Sequence, residues 1–463
     1  MTRGLAIAVL SACSISTPTY TASDADGSNS GDDVATAHSG TRLQVVRQSF
    51  GASSVPIAIH DAKLDVDCLP TRWSDGQLYC TPDTGGITFS DSACTTRVIV
   101  PFDSTRTTGL YAIDAHQQDT HVYHGGDALP SQQLYDTIGT ECEAFGAGQV
   151  AYAVDAEITP SDLVAVTYAD DPGALAQRYT HGADGLQTFD PWILHDNTRD
   201  ADCYEAIQTS NTPTTYCAPA PFAIPSTFAD SACTQPIVNV GNAFGAAYAL
   251  VFPPANVCFL MDHAYPIEAT TVTPAQVFQR QPFSDQCLAA TLQPSMYFTV
   301  GSPAPLFPLV RRPANQSGRR IVNAMRTSGD LGFVDREFYD TMLGAYCSGS
   351  VRLDGELACL PESLPLTSYF SDAACTTPIL AALAPSLWST CGFSFPAYGS
   401  VALGPEPEIR PLLPAGALPP LYQLDAISGA CGPVADWTYL SAGDPIPRSM
   451  FATGSVVVDP VAP

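Results

Sequence analysis

Three copies of one seven-residue phrase constrain this chain more than anything else in it. Phe89-Ser90-Asp91-Ser92-Ala93-Cys94-Thr95 returns as Phe228-Ala229-Asp230-Ser231-Ala232-Cys233-Thr234, and again as Phe370-Ser371-Asp372-Ala373-Ala374-Cys375-Thr376. The residue types fit a tight, cross-linked strand end. Phe anchors, and Asp accepts hydrogen bonds from its own downstream backbone in an Asx turn. Ala keeps the corner small enough for Cys to reach a partner, and Thr suits the strand that follows. Recurrence in different surroundings makes the three Asp turn-formers rather than acids or ligands.

The repeat extends well beyond the phrase. The first common cysteines, Cys68, Cys203 and Cys347, stand 135 and 144 residues apart. Asp61, Asp196 and Asp340 each precede one of them by seven positions, within Ile59-His60-Asp61, Leu194-His195-Asp196 and Phe338-Tyr339-Asp340. The second cysteines, Cys80, Cys217 and Cys359, are followed two residues on by Pro82, Pro219 and Pro361. Cys142, Cys287 and Cys431 come fourth, after Leu134-Tyr135, Val277-Phe278 and Leu421-Tyr422. A match over whole units signals tandem duplication. The expected organisation is an export signal over 1–12, an acidic tether over 13–38, and β repeats over 39–170, 171–314 and 315–463.

Apart from Cys13, 14 of the 15 cysteines remain as disulfide candidates. They are Cys68, Cys80, Cys94 and Cys142, then Cys203, Cys217, Cys233, Cys258 and Cys287, then Cys347, Cys359, Cys375, Cys391 and Cys431. Four cysteines allow three pairings, and spacing does not choose among them. First with second and third with fourth is the working expectation. Cysteine usage of this kind belongs to the oxidising side of a membrane.

Short β-type runs punctuated by Gly, Pro, Asp and Asn fill each unit. In unit one they lie at 42–50, 57–60, 87–90, 97–102, 110–114, 121–124, 151–156 and 163–168. Helical periodicity is absent, and the 40 prolines oppose helices. The proline-rich stretch from Pro405 to Pro420 is expected to be an extended loop. Each unit holds strands enough for two blades, so the expected fold is all-β, a six-bladed β-propeller with two blades per repeat. Three β-sandwich or barrel modules in a row are the alternative. Thr453-Gly454-Ser455-Val456-Val457-Val458 looks like the start of a fourth unit, and a last strand of that kind would close a ring.

At the N-terminus, Arg3, the apolar run Gly4 to Leu10 and Leu10-Ser11-Ala12-Cys13 read as a bacterial lipobox, with Cys13 the lipidated residue. Plain secretion is the alternative. Ser14 to His38 is rich in Ser, Thr, Asp and Gly, the composition of a flexible tether. The expected location is the outer membrane or cell surface, or secretion, with membrane contact only through the lipid anchor. A net charge of -27 excludes a nucleic-acid partner, whose phosphates it would repel, and electrostatic docking on anionic lipid.

An opening like Ser39-Gly40-Thr41-Arg42-Leu43, a D-x6-C step, a C-x-P step and the phrase ending A-C-T together resemble a group of uncharacterised, cysteine-containing, tandem-repeat secreted proteins and lipoproteins of myxobacterial type. The pattern covers all three units, although unit one lacks the aromatic that precedes Asp340. The resemblance implies an exported, β-rich surface protein and no activity.

Chemistry is sparse. His116, His121 and His124, among Asp114, Asp119 and Asp127, form the one metal-like cluster. On a strand His121 and His124 face opposite ways, so a polar loop tip is the preferred reading. Asp61, Asp196 and Asp340 read as strand-end carboxylates before ligands. No G-x-S-x-G, H-E-x-x-H or Gly-rich phosphate loop with Lys is present. Arg311, Arg312, Arg319, Arg320, Arg326 and Arg336 form the only basic cluster, either an anion site or a set of counter-charges. Trp192, Trp388 and Trp437 are candidates to stack on sugars, against the commoner fate of core packing. The expectation is a non-enzymatic binding or adhesion protein recognising a glycan or protein, with no cofactor. The alternatives are a polysaccharide hydrolase with paired carboxylates and a structural envelope protein.

Overall fold

The computed structural model describes residues 37–462 except 115–119, 139–140, 206–213, 241–244, 252–262, 281–285, 291–295, 316–317, 330, 352–355, 386–396, 402–406, 414–420, 425–429 and 435–436. The export signal, Cys13, most of the tether, His116, Cys258, Trp388 and Cys391 lie outside the described residues. The described fold is all-β, and its only helical segments are 3-10 turns.

Each unit opens with a four-stranded antiparallel meander. In unit one it is Leu43–Phe50, Ser53–Asp61, Val66–Arg72 and Leu78–Pro82. In unit two it is Leu175–Gly182, Gln187–Asp196, Ala201–Glu205 and Thr214–Pro219. In unit three it is Ile321–Ser328, Leu331–Asp340, Ala345–Val351 and Leu357–Pro361. A linking strand then joins each meander to the next. Ala165–Asp170 pairs the fourth strand of unit one and the first of unit two. Phe307–Pro313 does the same between units two and three. Thr453–Val458 pairs the fourth strand of unit three and, returning, the first of unit one.

Fifteen strands therefore form one closed circuit of pairings. This corrects the expectation of six separate blades, and equally that of modules merely in a row. Edge strands need partners, and here each meander finds them in its neighbours. The returning strand anticipated at 453–458 does close the circuit.

The remainder of each unit is inserted between its meander and its linking strand. In unit one, Gly85–Phe89, Arg97–Pro101, Tyr111–Ile113, Val122–Ile138 and Glu141–Ile158 close a small barrel. Units two and three carry nine- and eight-stranded sheets there. Part of the expected proline-rich loop is strand: Glu408–Leu413 pairs with Tyr398–Val401 and Trp437–Ala442. Ile409, only 2% exposed, ties it to the sheet despite Pro411.

The repeated phrase forms the first hairpin turn of each insert. The Asp91 carboxylate accepts the N–H groups of Ala93, Thr95 and Thr96, and Asp372 those of Ala374, Thr376 and Thr377. Asp230 accepts those of Thr234 and Gln235. Cys94, Cys233 and Cys375 all take φ near 52°, a left-handed conformation unusual outside glycine that the turn imposes. Disulfides join Cys94 to Cys142, Cys233 to Cys287 and Cys375 to Cys431. In the meanders they join Cys68 to Cys80, Cys203 to Cys217 and Cys347 to Cys359. Six such bonds point to an oxidising, extracellular environment.

Asp61, Asp196 and Asp340 are completely buried, each at the end of a second strand. Each accepts N–H groups from two and three residues on, such as Lys63 and Leu64 for Asp61. Each also meets an arginine: Arg42 at 2.5 Å from Asp61, Arg320 at 2.9 Å from Asp340, and Arg199 on Asp196. Unit two has Ala174 where the other units have Arg42 and Arg320, and Arg199 replaces the missing cation from the following turn. The same guanidinium groups bind the carbonyls of Asp162, Pro305 and Met450, at the approach to each linking strand. The threefold carboxylates are thus staples.

Candidate functional site

The three second strands pack against one another, so residues at one repeat position converge. Aligned on Asp61, Asp196 and Asp340, they read Pro56-Ile57-Ala58-Ile59, Pro191-Trp192-Ile193-Leu194 and Asp335-Arg336-Glu337-Phe338. Below this point the apolar positions make shared cores. Leu43, Ile59, Cys68 and Cys80 of unit one pack with Leu186 and Phe189 of unit two. Phe333 of unit three completes the corresponding cluster of unit two, and Phe50 and Val55 of unit one that of unit three. Each fully buried Leu or Phe contributes about 1.5–3 kcal/mol. The site therefore rests on packing that spans unit boundaries.

Each second strand breaks register at the same place. In unit two Gln177 pairs Leu194 and Tyr179 pairs Phe189, leaving Asp190, Pro191, Trp192 and Ile193 opposite Arg178 alone. Unit one skips only Ile57, and unit three skips Asp335, Arg336 and Glu337. Proline has no N–H to give a ladder, which suits a bulge. The carbonyls freed by the bulge of unit two are met by side chains. Gln177 Nε2 donates to Asp190 O at 3.3 Å, and Arg326 Nη2, from unit three, to Pro191 O at 3.0 Å. Arg326 is itself held by Asp335, both almost fully buried.

The bulge faces a cleft of about 580 Å³ between units one and two. Unit one supplies Ile57, Leu69, Pro70 and, from its linking strand, Tyr168; unit two supplies Trp192, Tyr204, Asp190, Asp202, Arg178 and Thr188. Five rim residues expose unusual apolar area: Ile57 42%, Leu69 60%, Tyr168 37%, Trp192 47% and Tyr204 39%. Exposed aromatics at the mouth of a cleft make this the candidate site.

The polar groups are arranged with some order. Arg178 bridges Asp170 at 2.7 Å and Asp202 at 2.5 Å, and lies 4.9 Å from the Tyr168 ring centre. Asp202 Oδ1 also meets His195 Nδ1 at 3.1 Å. Asp190 Oδ1 accepts the Trp192 N–H at 2.8 Å. Asp190 opens to the cleft but is ringed by protein, and that loss of solvent raises its carboxyl above the usual range. Burial likewise raises Tyr168 and Tyr204. Thr188, 4% exposed, is among the residues around the cleft; its Oγ1 is itself buried and has no hydrogen-bond partner among the described residues. Arg336 lies over the Trp192 ring from unit three.

The remaining sequence candidates are placed elsewhere. His121 Nδ1 meets Glu157 at 2.6 Å and His124 Nδ1 approaches Asp155 at 3.8 Å, so the two histidines serve different carboxylates. Among the described residues no group of three His, Cys, Asp or Glu could hold a metal ion. Half of the arginine cluster is paired with carboxylates: Arg311 binds Glu337 and Glu362, Arg320 binds Asp340, and Arg326 binds Asp335. Trp437 lies on a strand whose side chain is not described, leaving Trp192 as the sequence candidate found in a cleft. Tyr168, Tyr204, Asp190 and Asp202 were not singled out by sequence. The available signal was a column in which all three repeats disagree, Ile57, Trp192 and Arg336.

No curated protein and no solved structure matches the chain. Residues 21–400 match the model of a Family of unknown function (DUF7481), and the chain belongs to that family.

Proposed function

We propose that this is an exported, non-enzymatic surface protein whose cleft between units one and two binds a glycan. The observation that carries the reading is the convergence of Trp192, Tyr168 and Tyr204 around a floor of Asp190, Asp202 and Arg178. Sugars present apolar ring faces that stack on aromatics, and hydroxyl groups that pair with carboxylates, guanidinium groups and hydroxyls. Such a mixture of a few polar groups in an aromatic wall suits a polyhydroxylated ligand better than a flat apolar one. A closed, disulfide-stapled scaffold holds that wall rigid. Attachment through a lipid on Cys13, with residues 13–38 as tether, fits a module that works outside the cell.

A second reading is favoured by one observation. Asp190, with a raised carboxyl, shares the cleft with the Arg-paired Asp202, a pairing that glycoside hydrolysis uses for acid and partner carboxylate. The deciding experiment incubates the chain, disulfides intact, with neutral cell-wall and extracellular polysaccharides. Polymer retained and unchanged supports the binding reading. Oligosaccharide released by the chain, and lost with Asp190→Asn, establishes hydrolysis instead. Neither retention nor release, with unfolding confirming a native chain, contradicts both.

A further inference from the structure

We propose that the cleft prefers sugars bearing a protonated amine, whose ammonium sits between the Asp190 carboxylate and the Tyr204 ring. The inference rests on the glycan reading above and adds the ligand's charge class.

The positive groups beside the cleft are already outnumbered by carboxylates. Arg178 is shared by Asp170 and Asp202, and His195 also meets Asp202. Arg336, on the unit-three side of Trp192, has Glu337, Asp335 and Glu205 within electrostatic reach. Arg326 is bound to Asp335. That leaves Asp190 as the carboxylate of the lining that no ion pair answers among the described residues. Its Oδ1 takes the Trp192 N–H at 2.8 Å, and its Oδ2 has no hydrogen-bond partner among them. Loss of solvent raises this carboxyl although Arg326 and Arg336 pull it down from a distance. A cation arriving with the ligand would hold it ionised.

The aromatic walls fit the same guest. Burial first, and then the charges of Asp202 and Asp190, raise both Tyr168 and Tyr204, so the two phenols share one space with the two carboxylates. Arg178 and Arg336 lie over Tyr168 and Trp192, whereas among the described residues no guanidinium lies over Tyr204. Its face remains open to a cation, which the ring quadrupole attracts. An ammonium carries three donors, enough for Asp190 Oδ2 with others to spare. Neutral sugars keep the stacking and hydroxyl contacts but leave Asp190 unanswered. Anionic sugars meet Asp190, Asp202 and a net charge of -27.

The test compares β-1,4-linked trimers of glucosamine, N-acetylglucosamine and glucose, which share a backbone and differ at one substituent per ring. Binding to the whole chain, disulfides intact, is measured by calorimetry at about pH 6, below the usual amine range. The glucosamine trimer should bind about tenfold tighter than either neutral trimer, the worth of one added ion pair in a partly solvated site. Asp190→Asn should bring it down to the level of the neutral trimers. Asp127→Asn, the same change of charge at an exposed position in the unit-one insert, should not. Equal or tighter binding of a neutral trimer overturns the amine preference and leaves the glycan reading standing. A preference that survives Asp190→Asn belongs to the overall negative charge and overturns the site assigned to the ammonium. Binding of none of the three by a chain with native unfolding behaviour overturns the glycan reading and this inference together.

Discussion

The guanidinium of Arg336, from the third unit, lies over the indole of Trp192, from the second. These two residues occupy the same position of the repeat, and in the first unit that position is Ile57, on the rim of the same cleft. Duplication thus supplied a scaffold whose equivalent positions meet, and divergence at one of them made a site with unlike walls. A symmetric ring does not by itself give three equal sites. Here the bulge that lifts Trp192 is the longest of the three.

The buried staples should govern stability. Asp196→Ala leaves the Arg199 guanidinium without its carboxylate and two N–H groups without an acceptor. Breaking a buried pair from one side costs about 3–5 kcal/mol. The expected outcome is a fall of that size in chemical-denaturant unfolding, with Asp61→Ala and Asp340→Ala similar. A loss below about 1 kcal/mol would show that the staples are ornamental.

Acid should loosen the phrase turns only after it has protonated most other carboxylates. Hydrogen bonds from the N–H of Thr96 first, then Thr95 and Ala93, hold the Asp91 carboxyl at about 2. Asp372 is also at about 2, its N–H bonds from Thr376 and Thr377 outweighing partial desolvation. A carboxyl depressed in the folded chain adds stability above its unfolded value, near 3.9, and that stability disappears as pH falls through the folded value. Unfolding midpoints measured from pH 5 to pH 2 should therefore drop between about 4 and 2. Asp91→Ala should start lower and drop less across that window; an unchanged slope would place the acid sensitivity elsewhere.

The two disulfide classes should differ in access. The meander cysteines Cys68, Cys80, Cys203, Cys217, Cys347 and Cys359 are at most 2% exposed, within the cores. Cys94, Cys142, Cys375 and Cys431 are only partly buried. Under mild reductant without denaturant, alkylation followed by mass spectrometry should label Cys94, Cys142, Cys375 and Cys431 first. Meander cysteines labelled at the same rate would mean that whole-chain unfolding, and not local access, limits reduction.

Much of this architecture was legible in the sequence because duplication wrote it three times. The phrase marked the insert turns, the cysteine spacing fitted the pairs that form, and Val456 to Val458 announced the returning strand. Strands at Val66–Arg72 and Leu78–Pro82 carry no comparable alternation, since Pro70 and Cys80 interrupt it, and counting without them suggested separate blades. How the units join depends on pairings such as Val46 with Val458, far apart in sequence. The cleft was less legible still. Trp192 stood out by type, but Tyr168, Asp190 and Tyr204 come together only because a bulge and a unit boundary meet.

The most direct test of the account is saturation-transfer NMR on the whole chain with a mixture of neutral glucan, mannan and xylan oligosaccharides, comparing the natural sequence with Trp192→Ala. The account predicts saturation on the ring protons of at least one oligosaccharide, lost in the variant while its disulfides and unfolding midpoint stay unchanged. Equal saturation in both chains, or none in either, would contradict it.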